Sequence, residues 1–406
     1  MLFGADDHKR TGLLVIASTW FLYCGQSCVF PHLTRYYDLD LHLSDWQIGI
    51  MMALTSLGAV LMQPFWGVLS DRLLGRTKTL RLALTFNIVF LILFTFSYQI
   101  GGFALLLPAG VLFFICYSAS LPLNSAIILS YLGKSRRHLF GRIRVAGSIS
   151  FTVGMFLLCP TMVGLSLSWG LYGRTLVFLT ACVLYVFTIS CTFWDENHFE
   201  KHQKPQFKNF MMFFRSKNLG IFYLSIFCVS IGASAGIQYI GPYIGHRGLS
   251  ERFFSSIWLI GVGVEILLTY NLHHFARRFG LKRTIAIGFA ADFIRWFGLS
   301  LLDAPVWILI LSVMHGPSVI GMFFASAMYL DAKCEESVRS TAQALLYFSF
   351  VSGQMTGYIL ASALVDHYGY LPRADAIQSS FFWFGLFSFT ASVIAGTFLP
   401  KEPRTQ

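Results

Sequence analysis

Along this chain, charged positions are rare and come in bursts. Asp, Glu, Lys and Arg are absent from 11–34, 46–70, 82–133, 145–173, 175–194, 218–246, 304–330, 340–365 and 376–400. A helix rising about 1.5 Å per residue needs about 20 apolar residues to cross a hydrocarbon core about 30 Å thick. Each stretch therefore predicts a membrane-spanning helix. The run 82–133 is too long for one and predicts two, turned at Tyr98-Gln99-Ile100-Gly101-Gly102. Segments 253–276 and 284–302 are apolar apart from Glu265, Asp292 and Arg295. The pattern predicts an all-α integral membrane protein of twelve transmembrane helices.

Composition agrees. Charged residues make up 12% of the 406, against roughly 25% in a soluble domain. Hydrophobic types reach 55%, with 41 Phe. These values exclude a cytosolic enzyme, a disordered tail and a secreted disulfide scaffold. The net charge of +11 is a topology signal. With the N-terminus inside, the cytoplasmic segments hold 24 of the 30 Lys and Arg, and the outer loops hold only Arg35, Arg174, Arg247, Arg252 and Arg373. Both termini are expected in the cytoplasm, the chain in a bacterial inner membrane, and nucleic acid is not an expected partner. Met1–Arg10 shows no cleavable signal pattern. The eight Cys lie mostly within spans and lack metal-ligand spacing, so neither a metal nor a cofactor is expected. A monomer in the lipid bilayer is the expected state.

The polar stretch Asp195–Lys217 divides the chain into a bundle at 1–194, a cytoplasmic linker at 195–217 and a bundle at 218–406. Within it Phe207, Phe210, Met211 and Phe214 recur at helical spacing beside Lys208, Arg215 and Lys217. That spacing suits an amphipathic helix on the inner leaflet, or a solvated linker. The halves echo each other. After the second span comes Gly67-Val-Leu-Ser-Asp71-Arg72-Leu-Leu-Gly75-Arg76-Thr-Lys78, and after the eighth Phe275-Ala-Arg277-Arg278-Phe-Gly280-Leu-Lys282-Arg283. Arg142-Ile-Arg144 opens the fifth span and Arg339 the eleventh. Two pseudo-symmetric six-helix bundles predict a rocking transporter with its site between them, near the bilayer midplane.

Ionisable groups at membrane depth mark ion or solute paths. Glu265 lies mid-span 8, Asp292 and Arg295 mid-span 9, and His315 mid-span 10. Asp292 and Arg295 are three residues apart and share a helix face. If helix movement makes or breaks a Glu265–Arg295 contact, protonation becomes coupled to conformation. A static ion pair is the alternative for Glu265. Asp292 could serve only to neutralise Arg295, and His315 could be a hydrogen-bonded core histidine. His315 precedes Gly316-Pro317, an expected helix break. Asn124 is a polar residue in span 4, suited to solute or to a helix–helix hydrogen bond. Gln238, Tyr239 and Tyr243 flank Gly241-Pro242 in span 7, where Tyr239 could stack on a ring or simply pack.

Gly67–Lys78 resembles the loop 2–3 signature of the major facilitator superfamily, with one extra Leu between Arg72 and Gly75. The resemblance implies a gating loop at Gly67, Asp71, Arg72, Gly75 and Arg76, in which Asp71 caps or pairs with basic groups at neighbouring helix ends. Leu123-Asn124-Ser125, Phe140-Gly-Arg-Ile-Arg144-Val-Ala-Gly147-Ser148-Ile-Ser-Phe151, Val264-Glu265-Ile266-Leu267, Arg295-Trp296 and His315-Gly316 are similar to segments of the nucleoside:proton symporters. So are Tyr329-Leu-Asp331 and Arg339-Ser-Thr-Ala-Gln343. The neighbouring phenylpropionate-permease group shares much of this. The resemblance implies Glu265 as the proton-coupling group, and Arg295, Asp292 and His315, at comparable depth, are expected to share that role. It implies Arg144, Ser148 and Phe151 as solute-binding groups, and Asn124, Gln238 and Tyr239 are added as solute-binding candidates from their residue types in spans 4 and 7. Arg144, Ser148 and Phe151 fall on one face as i, i+4, i+7; a cytoplasm-facing Arg at a helix start is the other reading of Arg144. The chain departs from those symporters at Val262, Gly236, Tyr239 and Val319-Ile320, where they carry polar or acidic groups.

The resulting expectation is a proton-driven importer of a small polar or aromatic solute, nucleoside first. An efflux antiporter for aromatic compounds is the alternative, as is an aromatic-acid or sugar permease. An intramembrane enzyme would need a nucleophile–base set or metal spacing within the spans, and neither occurs. A transport-dead receptor would show a degraded gating loop, whereas Asp71-Arg72 is intact.

Overall fold

The structure, a computed structural model, describes residues 5–133, 136, 139–193, 217–334 and 339–400. Among them ten helices are long and apolar enough to cross a membrane. The protein is an integral membrane protein. In hydrocarbon every backbone N–H and C=O must be bonded within its own helix, which is why the charge-free stretches become helices.

α1 (Ala5–Val29) runs on through a tight turn at Phe30–His32 and a wide turn at Tyr36–Asp40. α2 (Asp45–Val68) ends in a wide turn at Leu69–Leu74. α3 (Arg76–Leu132) is 57 residues long, with non-helical backbone at Gly101 and Gly102. Phe94 and Phe113 stack with centroids 5.7 Å apart, although nineteen residues of straight helix would separate them by about 28 Å. The chain therefore doubles back at Gly101–Gly102, where φ is +58° at Gly102, a conformation that favours glycine. The predicted turn is in place. α4 (Phe140–Val153) passes through a wide turn at Gly154–Leu158 into α5 (Cys159–Ser168), and α6 (Thr175–Ser190) is a shorter apolar helix. Then follow α7 (Lys217–His246), α8 (Glu251–Phe279) and α9 (Leu281–Leu301). α10 (Pro305–Ser312), α11 (His315–Val319) and α12 (Ser326–Lys333) make one broken span, and α13 (Arg339–His367) and α14 (Arg373–Phe398) complete the chain. The proposed amphipathic residues Phe207, Phe210, Met211 and Phe214 lie outside the described residues.

The described residues divide into two compact units. One holds those of Met1–Leu43 and Leu54–His202, the other those of Ser44–Ala53 and Gln203–Gln406. In the first unit Tyr36 donates to the Thr95 carbonyl at 2.8 Å, with its ring against Phe94 and Phe178. Gln26 donates to Ser120 at 2.8 Å, joining α1 to the second limb of α3. In the second unit α7 packs on α13 and α14 over a core that includes Phe222, Ile226, Phe289 and Tyr329. Lipid is as apolar as a side chain, so such crossings depend on close approach of small residues. A Cβ at Gly353 of α13 would collide with the Phe227 carbonyl oxygen of α7.

The two similar stretches that end at Lys78 and Arg283 have similar backbone turns. Gly75, between α2 and α3, has φ +87° and ψ 164°; Gly280, between α8 and α9, has φ +79° and ψ 155°. Four residues on, Thr79 and Thr284 each donate their hydroxyl back to that glycine's carbonyl, at 2.6 and 2.8 Å.

Candidate functional site

The broken span of the second unit sets its chemistry. Pro317 lacks an N–H, and its ring crowds the carbonyl four residues earlier, at Val313. The helix breaks at Val313–Met314, and His315 becomes the first residue of α11. Space for its ring comes from Gly261 of α8, where a Cβ would lie 3.0 Å from the His315 Cβ. Below the break, α9 and the wide turn after α11 meet at Gly288 and Gly321. A Cβ on Gly288 would be 2.6 Å from the Gly321 Cα.

His315 then stands between two charged neighbours. Its Nδ1 lies 3.1 Å from an Arg295 Nη1, and its Nε2 lies 3.9 Å from Glu265 Oε2. A guanidinium can only donate, so Nδ1 accepts and the ring proton sits on Nε2, facing the carboxylate. The Trp258 ring meets the imidazole edge-on at 5.9 Å, and Arg295 lies over Trp296 at 4.5 Å. Asp292, one turn before Arg295, accepts from Ser318 at 3.0 Å on one oxygen and from Ser388 at 2.6 Å on the other. Asp292 and Arg295 are buried, while the His315 and Glu265 side chains keep 13% and 18% of their surface open. All four groups anticipated from the sequence come together in one unit. The imidazole touches both ends of the Glu265–Arg295 pair on which the expected switch depends.

In the first unit Arg144 Nη1 donates to Ser148 at 3.1 Å, and its guanidinium lies 4.3 Å over the Tyr23 ring of α1. Tyr23 is thirteen residues beyond Arg10, about 20 Å along the helix. Arg144 therefore reaches membrane depth, and among the described residues no carboxylate pairs with it. Phe151 lies half-buried two turns on. Asn124 is fully buried and bonds Thr19 of α1 at 3.2 Å. Gln238 and Tyr239 are fully buried in the second unit. Gln238 donates to Ser362 at 3.0 Å, and Tyr239 donates to Asp45 at 2.6 Å, with Ser362 at 3.2 Å. In the loop after α2, Asp71 is exposed and accepts from the adjacent Ser70 at 3.1 Å. Arg76 donates to the Ala126 carbonyl at 3.4 Å.

A family model, that of the MFS_1 like family, matches residues 13–372. The chain belongs to this family. It is accordingly a membrane transporter of the major facilitator type, not an enzyme. It is 24% identical over 365 residues to the uncharacterized transporter YwbF of Bacillus subtilis, covering 87% of this chain and 89% of the relative. It is 22% identical to the putative nucleoside transporter YegT of Escherichia coli, covering 86% and 83%. The crystal structure of the nucleoside transporter NupG superposes with a TM-score of 0.79 at 17% identity, over 95% of this chain and 98% of that one. The fold of this family member is therefore that of a solved transporter.

Several partners escaped the sequence reading. Ser318 and Ser388 hold Asp292, yet serine is too common in spans to stand out. Tyr23 lies on a helix remote in sequence from Arg144. Asp45 borders a charge-free stretch, Arg373 lies three residues before one, and both read there as ordinary loop charges.

Proposed function

We propose that this transporter has twelve spans in two six-helix halves and imports a small polar or aromatic solute by proton-coupled alternating access, with nucleosides the first candidates. The observation that carries this reading is the line Glu265–His315–Arg295 at membrane depth. With Glu265 ionised, the ring proton on Nε2 faces a carboxylate and Nδ1 remains the acceptor for Arg295. A proton arriving at Glu265 removes that attraction, and a proton passed to the imidazole turns Nδ1 into a donor opposite another donor. Either event changes how α8, α9 and α11 hold together. Asp292 keeps a countercharge beside Arg295 throughout. The first unit contributes the solute groups, with Arg144 and Ser148 polar and Phe151 for a ring.

Nucleosides come first because a putative nucleoside transporter and the structure of a nucleoside transporter are among the similar proteins. The proposed setting is the bacterial inner membrane, with both termini cytoplasmic and the chain monomeric. In proteoliposomes under an imposed pH gradient, the protein should concentrate labelled uridine, and Glu265→Gln should only equilibrate it. Uphill accumulation by Glu265→Gln would refute the mechanism.

One observation favours a second reading of the solute. Arg144 is a cation at membrane depth whose described partners are a hydroxyl and a ring, an arrangement suited to an anionic solute such as an aromatic acid. A neutral solute moving with one proton carries charge across the membrane, whereas a monoanion moving with one proton does not. Uptake currents on a supported membrane separate the two.

A further inference from the structure

The segment joining the extension of α1 to α2 carries two acidic residues, and each meets the arginine that opens a helix. Asp40 accepts from the Arg174 guanidinium at 2.5 Å and from the Arg174 backbone N–H at 3.0 Å, within the first unit. Asp45 accepts from Arg373 at 2.6 and 2.8 Å and from Tyr239 at 2.6 Å, within the second. Arg174 stands just before α6 and Arg373 opens α14. Between the two acids, His42 holds φ +51°, which is costly for a residue with a Cβ. Ser44 and Gln47 then start α2 with a reciprocal capping box: Ser44 N–H to Gln47 Oε1 at 3.0 Å, and Gln47 N–H to Ser44 Oγ at 3.3 Å.

We propose that residues 40–45 are a strap with one fixed and one releasable end: Asp40–Arg174 anchors it, and Asp45–Arg373 is the catch that opens when the transporter changes state. Three differences between the ends support this assignment.

The first is solvation. The acids are alike, Asp40 and Asp45 being 7% and 8% exposed, but the Arg174 side chain is 5% exposed and that of Arg373 30%. Separating the first pair strands a buried charge, but the Arg373 guanidinium is already partly open to solvent. The second is what opening leaves behind. The Tyr239 hydroxyl lies 3.2 Å from Ser362 as well as 2.6 Å from Asp45. When Asp45 departs, that buried hydroxyl keeps Ser362 as a partner, which lowers the cost of the open state. The third is shape. The first turns of α2 meet α13 through Gly49, where a Cβ would lie 2.6 Å from Ser362 Oγ and 3.3 Å from the Tyr358 carbonyl. At that point α2 approaches α13 with no side chain of its own. Ser362 is shared by all of these contacts, since it also accepts from Gln238.

The inference needs a transporter that changes state, but nothing about its solute or proton. The test therefore reads accessibility, not uptake. Full-length protein depleted of native cysteines and carrying Ala53→Cys, at a buried position in the part of α2 that belongs to the second unit, is placed in nanodiscs and labelled with a membrane-impermeant maleimide. Asp45→Asn should raise the labelling rate about tenfold or more, as loss of one partner of a charge pair made only in the closed state biases a two-state equilibrium. The charge exchange Asp45→Arg with Arg373→Asp should bring the rate back toward the parent. Asp40→Asn should lower the melting temperature without raising the rate. An unchanged rate in folded Asp45→Asn would overturn the proposal, as would an equal rise in Asp40→Asn. If Asp45→Asn does not purify as a single species, Arg373→Lys is read instead. It keeps the charge but loses the two-pronged contact, and an unchanged rate there is equally fatal. A normal labelling response alongside failed uridine uptake would count against the solute assignment and leave the strap intact.

Discussion

Replacing Asp292 by Ala removes two hydrogen bonds and one charge from the interior of the second unit. Ser318 and Ser388 donate to its carboxylate at 3.0 and 2.6 Å, and bonds to a charged acceptor are worth about 1.5–3 kcal/mol each. Part of that returns, because Ser388 also lies 3.4 Å from the Phe384 carbonyl and can donate there. The other loss is at Arg295, 5% exposed, whose charge is offset by the Asp292 carboxylate one turn away without a direct ion pair. Leaving either buried charge uncompensated costs about 1.5 kcal/mol. Asp292→Ala should therefore destabilise by about 3.5 kcal/mol, and Arg295→Met, which also removes the donor to His315 Nδ1, by about 2.5 kcal/mol. The double variant loses the two serine bonds and the donor to His315 but leaves neither charge uncompensated, so its cost should be about 3 kcal/mol. The double should thus fall short of the sum of the singles by about 3 kcal/mol. The assay is SDS-induced unfolding of the four proteins in one lipid–detergent mixture, followed by tryptophan fluorescence. If the double loses the sum of the singles to within about 0.5 kcal/mol, the two charges do not support each other and the reasoning fails.

Other outcomes follow from single contacts. Tyr23→Leu removes the ring beneath Arg144, and cation–π contacts of about 0.5–2 kcal/mol predict a KM for uptake raised severalfold, with Tyr23→Phe near the parent. An unchanged KM in the Leu variant would separate Arg144 from the solute. Asn124→Leu breaks the bond to Thr19 and should cost about 0.6–1.7 kcal/mol of stability while transport survives. Lost uptake with an unchanged melting temperature would make Asn124 a solute group instead. Gly288→Val forces a side chain toward the Gly321 backbone and should abolish the folded species in size-exclusion chromatography; normal behaviour there would mean that α9 and the broken span do not meet as described.

The spans were legible because an unpaired charge in hydrocarbon is so unfavourable that its absence writes the helix pattern into the sequence. Gly101-Gly102 was legible for a similar reason: two adjacent residues without Cβ tolerate the backbone reversal that α3 makes there. The four groups Glu265, Asp292, Arg295 and His315 stood out as rare types in apolar surroundings. Their order did not, because helical spacing says which residues share a face but not how three helices rotate against each other. The position of His315 between Glu265 and Arg295 depends on that rotation, on the break that Pro317 imposes and on the absent side chain at Gly261. Asp45 and Arg373 were illegible for another reason. They are 328 residues apart, and each looks like an ordinary charge at the edge of a span.

The two-residue turn of α3 also constrains how the protein is made. Its limbs, touching through Phe94 and Phe113, leave no loop that could wait on one side of the membrane while the second limb is synthesised. The insertion machinery must accept the pair as a hairpin, and the basic residues Arg76, Lys78 and Arg81 at its start then orient both limbs in one decision. An epitope or protease site placed between Gly101 and Gly102 would uncouple that decision, with misinserted chains appearing during synthesis, before any folded protein exists to be destabilised.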